Sequence, residues 1–236
     1  MEVVPLLLGL LTGIVILYIL YVLIMYIFFN EFAALTDLQQ ASNNPVTIDK
    51  DRLASGSNTG NYTYSVWVYV LDWNYGFGEK KSILKREMAN GNGSPALEIY
   101  MGPNTNDIII ETQCYGADGP NGQRAKCQVD NFPLQTWVNL TVSQYGRTCD
   151  VYIDGKLVRT CVLPGTALAG TGNVVLTSGI GFHGYTCKLR YFDNATNPQQ
   201  AYNIYKDGPC AIGTMTGYRL VFEILQGDES KYKLTL

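Results

Sequence analysis

Carboxylates are the side chains with which this sequence could cleave a glycosidic bond, a reaction that needs one on each side of the scissile bond. Glu98 and Glu111 lie in apolar runs typical of strands, but neither has a second carboxylate two residues further on, on the same strand face. The single histidine, His183 in G-F-H-G-Y, is predicted in a solvated turn rather than in a Ser-His-Asp triad. We therefore expect that the protein is not an enzyme.

Oxygen ligands for calcium are present in predicted loops, at Asp118, Asp130, Asp154 and Asp193. They form no recognisable cluster, and Asp154 is already explained by a two-residue hairpin turn with Gly155, in which both residues need a positive φ. The cysteines show no C-x2-C spacing, which argues against zinc. We predict no cofactor, and a structural calcium remains the alternative.

An even number of cysteines allows up to three disulfides if the domain folds in an oxidising compartment. The six candidates are Cys114, Cys127, Cys149, Cys161, Cys187 and Cys210. Across the Asp154-Gly155 turn, Cys149 faces Thr160, so a Cys149–Cys161 bridge is disfavoured unless a bulge intervenes. Cys187 and Cys210 form a candidate pair that would pin the C-terminal tail. Free, buried thiols are the alternative for several of the six.

Two positions are candidates for glycosylation. Of the four N-x-[ST] sequons, those at Asn61 and Asn194 lie in predicted loops, whereas Asn139 lies within a strand and Asn92 is followed by Ser94-Pro95. Their use would place the domain on a lumenal or exterior side.

The loop N-Y-G-F-G carries the aromatic residues Tyr75 and Phe77. Exposed aromatic rings stack on sugar faces, and Tyr and Trp are enriched in protein interfaces. We take Tyr75 and Phe77 as binding-loop candidates, with burial in the core as the alternative.

The apolar excess of the sequence is concentrated at its N-terminal end. Residues 3–29 include 23 apolar residues out of 27 and no charge, although 16% of the whole chain is charged. At about 1.5 Å per residue, a helix of this length spans roughly 40 Å and can cross a bilayer. The run is too long for a signal peptide. We predict a transmembrane anchor at residues 1–30, in which Gly9 and Gly13 form a helix-packing face.

The charged residues outside the anchor bear on its orientation in the membrane and on nucleic-acid binding. The first basic residue after the anchor is Lys50, and the C-terminal flank carries Glu31 and Asp37. This pattern leans towards a cytoplasmic N-terminus, with the folded domain on the lumenal or exterior side. The net charge is −3 and no basic patch is present, so we expect no nucleic-acid partner.

Beyond the anchor, composition divides the chain into three further parts. Residues 31–60 are rich in Ser, Asn and Gly and are predicted to form a spacer. Residues 61–208 consist of short β-rich runs and Gly-rich turns, which predict an all-β sandwich with one helix at 198–206. Residues 209–236 are predicted to form an extra β-hairpin, which either closes a sheet edge or pairs with a neighbouring chain.

Four phrases resemble the laminin-G-like, concanavalin-A-like lectin and glucanase superfamily: W-V-Y-V-L-D-W at 67–73, D-N-F-P-L-Q-T-W-V-N at 130–139, D-V-Y-I-D-G-K-L-V at 150–158 and N-P-Q-Q-A-Y-N-I-Y at 197–205. The resemblance implies a jelly roll of two curved antiparallel sheets. The resemblance also favours a Cys127–Cys161 disulfide, because the two residues flank the phrases at 130–139 and 150–158. The superfamily serves lectins, glycosidases and protein-binding modules, so its fold alone does not give the function.

Residues 130–139 and 150–165 also resemble a narrower group, the membrane-anchored virion proteins of large nucleocytoplasmic DNA viruses. This resemblance implies a single-pass, non-enzymatic structural protein. As a minor capsid protein, it would tether an inner viral membrane to the capsid shell, with the lipid bilayer and capsid proteins as its partners. The alternative is a membrane-anchored lectin that binds glycans through its loop aromatics.

Overall fold

The structure is a computed structural model that describes residues 3–28, 34–42, 44–53, 60–88, 94–116, 122–210, 221–226 and 229–235. Two six-stranded antiparallel sheets pack face to face, as expected for a jelly-roll sandwich. The first sheet has the spatial order β1 (Gln39–Ser42), β12 (Gly181–Phe192), β3 (Tyr62–Asp72), β8 (Trp137–Tyr145), β9 (Thr148–Ile153), β10 (Lys156–Val162). The second has the order β2 (Val46–Ile48), β11 (Val174–Leu176), β4 (Lys81–Arg86), β5 (Leu97–Met101), β6 (Ile108–Gln113), β7 (Arg124–Val129).

The central strand β3 is buried on both of its faces, for two different reasons. Val66, Val68 and Val70 join the apolar core between the sheets. The opposite face is covered by helix α2 (Pro198–Lys206), whose Tyr205 ring stacks on Trp67 with 5.7 Å between ring centroids. Both alternating sets of β3 side chains are therefore largely buried, because each set meets a packed layer; the outer set includes Thr63 and Ser65, whose hydroxyls are hydrogen-bonded.

Helix α2 begins where the sequence predicts. The Asn197 side chain accepts a hydrogen bond from the Gln200 backbone N–H, and the Gln200 side chain accepts one from the Asn197 backbone N–H. This reciprocal capping box satisfies two backbone donors at the start of the helix.

The prediction of a spacer is wrong for the described residues between 39 and 53. Strand β1 pairs with β12, and β2 pairs with β11, so both lie at edges of the sandwich. Ala41 and Ile48 are fully buried in the core. The polar composition is misleading here because an edge strand buries only every second residue, and it obtains its order by pairing with a strand that is distant in sequence.

The β9–β10 hairpin turns at Asp154 and Gly155, which both have a positive φ, in agreement with a type I′ turn. The predicted register beyond the turn is wrong. A bulge between Leu157 and Arg159 shifts the pairing by one residue, so that Cys161 lies opposite Cys149. An extra residue in one strand moves all later positions to the other face.

Two further elements lie outside the sandwich. Helix α1 runs over Val3–Phe28, and Gly9 and Gly13 lie in it four residues apart, each with open space where a Cβ atom would stand. Over the described residues, no helix is found that is long and apolar enough to cross a membrane. At the other end of the chain, β13 (Val221–Gln226) and β14 (Glu229–Thr235) pair as an antiparallel hairpin.

Candidate binding site

The predicted binding loop connects β3 to β4 at one end of the sandwich, and a buried lysine fixes it from below. Lys81 is fully buried, and its ammonium donates a hydrogen bond to the Gly76 carbonyl at 2.9 Å. The same ammonium lies over the Trp73 ring, 4.4 Å from the centroid. Burial lowers the pKa of Lys81, because desolvation disfavours the charged form. The contacts of the buried Lys81 ammonium therefore hold the loop in one conformation.

Two glycines give the loop its bends. Gly76 and Gly78 both have a positive φ, which residues with a Cβ atom rarely adopt. Gly78 donates its backbone N–H to the Pro103 carbonyl at 3.0 Å, which ties the loop to the neighbouring β5–β6 turn. A rigid loop loses little conformational entropy when it binds a partner.

This loop presents an apolar surface to solvent. The Phe77 side chain is 62% exposed, and Leu71, near the end of β3, and Ile180 are also exposed. Tyr75 is half-buried, and its hydroxyl donates to the Ile180 carbonyl at 3.4 Å. We call Leu71, Tyr75, Phe77 and Ile180 the end patch. The two predicted binding-loop residues thus have different positions: Phe77 projects outwards, whereas Tyr75 supports the patch.

A histidine and a carboxylate border the end patch. His183 lies in strand β12 opposite Asp72 of β3, so its predicted place in a turn is wrong. The sequence suggested a turn because glycines flank it, yet Gly184 packs against the β3 backbone, where a Cβ atom would lie 1.9 Å from the Tyr69 carbonyl oxygen. The Nδ1 atom of His183 lies 3.9 Å from the Asp72 carboxylate, beyond hydrogen-bond distance. The pair adds polar character to the rim of the end patch.

A row of charges that the sequence analysis missed crosses the outer face of the second sheet. Strand register places Glu98 of β5 directly opposite Glu111 of β6, with Lys85 and Lys126 at the two ends of the row. The sequence analysis compared positions along single strands only. The sequence nevertheless contained the information needed to predict this pair. Across a regular hairpin, the residue numbers of paired positions add up to the same value. Counting outwards from the β5–β6 turn therefore pairs residue 98 with residue 111.

The surroundings of these two carboxylates do not suit glycoside cleavage. Lys80 Nζ lies 2.7 Å from Glu98, Arg124 Nε donates to Glu111 at 2.8 Å, and the Tyr100 hydroxyl donates to Glu111 at 2.6 Å. Burial acts to raise the pKa of Glu111, but the hydrogen bonds from Tyr100 and Arg124 outweigh it and hold that pKa below its usual range. A general acid needs the opposite shift. The arrangement is a satisfied ion-pair network.

One disulfide is present, between Cys127 of β7 and Cys161 of β10, the pair that the resemblance favours. These two strands are the edge strands of different sheets, so the bridge joins the two layers at one side of the sandwich.

The other four cysteines are free thiols. The predicted Cys187–Cys210 bridge is absent; instead, the Cys210 backbone N–H donates to the Cys187 sulfur at 3.0 Å. Cys114 and Cys149 are buried, and burial raises the pKa of the Cys149 thiol to about 12. They therefore act as small apolar core residues.

The remaining candidates are spread over separate loops. The Asn194 side chain is exposed, whereas Asn61 is half-buried and its side-chain oxygen accepts a hydrogen bond from Gly146 at 2.9 Å. No group of three or more potential metal ligands forms among the residues that the structure describes. Asp118, one of the calcium candidates, and the Asn92 sequon lie outside them.

The comparison with known families agrees with this architecture. A family described as the concanavalin A-like lectin/glucanases superfamily matches residues 40–201, which includes β1 and most of the chain. The chain belongs to this superfamily. No curated protein matches the sequence significantly.

Solved structures with the same fold include receptor-binding domains of botulinum neurotoxins. The serotype D domain aligns with a TM-score of 0.55 at 10% identity, covering 72% of this chain and 43% of that one. The C/D mosaic domain aligns with a TM-score of 0.56 at 12% identity, covering 75% and 47%. This superfamily member thus spans less than half of those chains, and at such identities the similarity shows the fold alone.

Proposed function

We propose that the protein is a non-enzymatic binding protein whose sandwich docks on a partner through the end patch. The exposure of Phe77 on a loop anchored by buried Lys81 is the observation that carries this proposal. An exposed aromatic ring at the tip of a rigid loop is the usual form of an interface anchor. The fold supports a binding role, since other members of the superfamily and the neurotoxin domains use it for recognition.

The chemistry of the end patch favours a protein partner. Leu71, Phe77 and Ile180 are each exposed and apolar, which suits a complementary apolar surface. The lectin alternative draws on the His183–Asp72 pair beside the patch, because sugars need polar groups next to the aromatic ring that stacks on them. The two alternatives use the same loop and differ in the ligand.

The finer proposal is that the chain tethers a membrane to a protein shell, as a minor capsid protein does. Its support is the uncharged run at residues 3–29 and the resemblance of residues 130–139 and 150–165 to virion proteins of large DNA viruses. The Cys127–Cys161 bridge supports folding in an oxidising compartment, on the lumenal or exterior side. In this arrangement the uncharged run at residues 3–29 holds the chain at the bilayer and the end patch contacts the shell.

A photo-crosslinking amino acid at position 77 of the full-length chain, in its native assembly, tests the site. Tyr145 is the matched control position, because its ring is 66% exposed at the opposite end of the sandwich. Crosslinks to one protein at fixed stoichiometry from position 77, and none from position 145, would support docking. Glycan-array binding that is lost in Phe77→Ala but kept in Tyr145→Ala would instead support the lectin.

Truncation of Phe77 should weaken partner binding roughly ten- to hundred-fold, because burying a Phe side chain is worth about 1.5–3 kcal/mol. Equal behaviour of Phe77→Ala and Tyr145→Ala in both assays would refute the end patch as the binding site.

A further inference from the structure

Strand β10 is an edge strand that presents apolar side chains to solvent. It lies at the end of its sheet, paired with β9 on one side only. Val162 is 79% exposed and Leu157 is 48% exposed. The unpaired side of an edge strand offers a row of backbone donors and acceptors, which natural proteins usually protect. Here a long, partly apolar edge is left open within the described structure.

The open side of β10 also borders a cavity of about 360 Å³ between the two sheets. Val158 and Arg159 of β10 line it, together with Ile153 and the loop that contains Phe132. Arg159 is exposed, and no described residue forms an ion pair with it. The edge therefore combines backbone pairing groups, an apolar surface and the positive charge of Arg159, with Asp130 lining the same cavity.

A second incomplete sheet lies near the C-terminus. Strands β13 and β14 form a two-stranded sheet of their own and pair with neither six-stranded sheet. A lone two-stranded hairpin is marginally stable in water, and it becomes stable when it joins a larger sheet or packs against another element. Among the strands that the structure describes, the hairpin has no further partner strand, and neither does the open side of β10.

The sequences of the two hairpin strands distinguish which one suits β10. Strand β13 (VFEILQ) carries Glu223 as its only charged residue, whereas β14 (ESKYKLT) carries Lys231 and Lys233 against one acidic residue, Glu229, at its start. Basic Lys156 and Arg159 on β10 would attract the first strand and repel the second.

The alternation of residues in the two strands also matches. On β13, Phe222 and Ile224 alternate with Glu223. On β10, Arg159 pairs with a core residue of β9 and lies on the inner face, whereas Thr160 and exposed Val162 lie on the outer face. Pairing that places Glu223 next to Arg159 therefore places Phe222 on the face of Val162.

We propose that β13 of one copy of this chain adds as a strand to β10 of a second copy, and that this pairing builds a self-assembled array. A second copy is the occupant that the charges favour, since Glu223 of β13 complements Arg159 of β10, and among the described strands the hairpin joins neither six-stranded sheet. The donor and acceptor strands are different, so the contact is head-to-tail and each copy can both give and receive a strand. This contact is separate from the end patch, so the binding function and self-assembly can fail independently.

Charge reversal in the full-length chain in detergent micelles tests the pairing by sedimentation as a function of concentration. We expect concentration-dependent oligomers for the wild type. Arg159→Glu and Glu223→Lys should each raise the dissociation constant roughly five-fold or more, and the double variant should restore it. Lys50→Glu is the matched control, because Lys50 is an exposed cation next to β2, at an edge of the other sheet. It should leave association unchanged.

Several results would overturn the proposal. These are a monomer at all concentrations, oligomers that neither Arg159→Glu nor Glu223→Lys weakens, or no recovery in the double variant. A photo-crosslinker at Leu157 in a mixture of isotopically light and heavy copies gives a second readout that does not depend on variant stability. Crosslinks to β13 between light and heavy copies would support the proposal, and crosslinks confined to single copies, or absent, would contradict it.

Discussion

Removal of the Cys127–Cys161 disulfide should cost the sandwich a large part of its stability. The bridge closes a loop with a sequence separation of 34 residues between the edge strands of the two sheets. In the chain-entropy account, a crosslink over a loop of this length destabilises the unfolded state by about 4 kcal/mol. We expect Cys127→Ala/Cys161→Ala to lose most of this amount, which corresponds to a fall in Tm of roughly 8–15 °C.

Differential scanning calorimetry and urea unfolding of the full-length chain would measure this loss. The matched control is Cys187→Ala/Cys210→Ala, which removes two sulfur atoms that contact each other without a covalent bond. The free energy of unfolding of this control should fall by only about 1 kcal/mol, the value expected for removing a small buried apolar group. Adding a reductant to the wild type should reproduce the disulfide variant and leave that variant itself unchanged.

Two outcomes would refute the reasoning. If both double variants lost the same stability, packing rather than the crosslink would explain the effect. If the reductant did not change the wild type, the bridge would contribute nothing to the free energy of unfolding.

Three other substitutions test local features of the fold, each by urea unfolding. Gly155→Ala should cost about 1–3 kcal/mol, because φ is +72° there and a Cβ atom would lie 2.8 Å from Tyr202 Cα; no loss would contradict the tight helix–turn contact. Asn197→Ala should cost about 1 kcal/mol through loss of the helix cap, and Asn197→Asp should retain most of it. Burial lowers the pKa of Lys81 from 10.5, so the unfolded chain binds more protons than the folded one between the lowered pKa and 10.5. Wild-type stability should therefore rise with pH across that window, and Lys81→Met should lack this rise; identical pH profiles would refute the assignment.

Local features of the fold could be predicted from the sequence because their chemistry lies within a few neighbouring residues. The Asp154-Gly155 turn follows from the positive φ that both positions adopt. Helix α2 begins at its predicted cap for a similar reason, since Asn197 and Gln200 satisfy each other's backbone N–H groups. The alternation of apolar residues and the shared phrases were sufficient for the sandwich class, which depends on pattern more than on particular contacts.

The candidate site was only partly within reach of the sequence. Phe77 could be named because an aromatic residue between glycines indicates an exposed loop. The anchoring role of Lys81 could not, since it depends on the Gly76 carbonyl and the Trp73 ring lying around one buried ammonium. Glu98 and Glu111, in contrast, come together through strand register, which counting outwards from the β5–β6 turn predicts.

Pairing between residues far apart in sequence was decided by the tertiary structure alone. Polar residues around Ala41 form a strand because β12 supplies the hydrogen bonds, and nothing local to that segment predicts this. The bulge between Leu157 and Arg159 moves Cys161 opposite Cys149, although Cys161 forms its disulfide with Cys127 on the other sheet. Sequence patterns specify which groups must be buried or capped, whereas the register of the assembled sheets determines which of them meet.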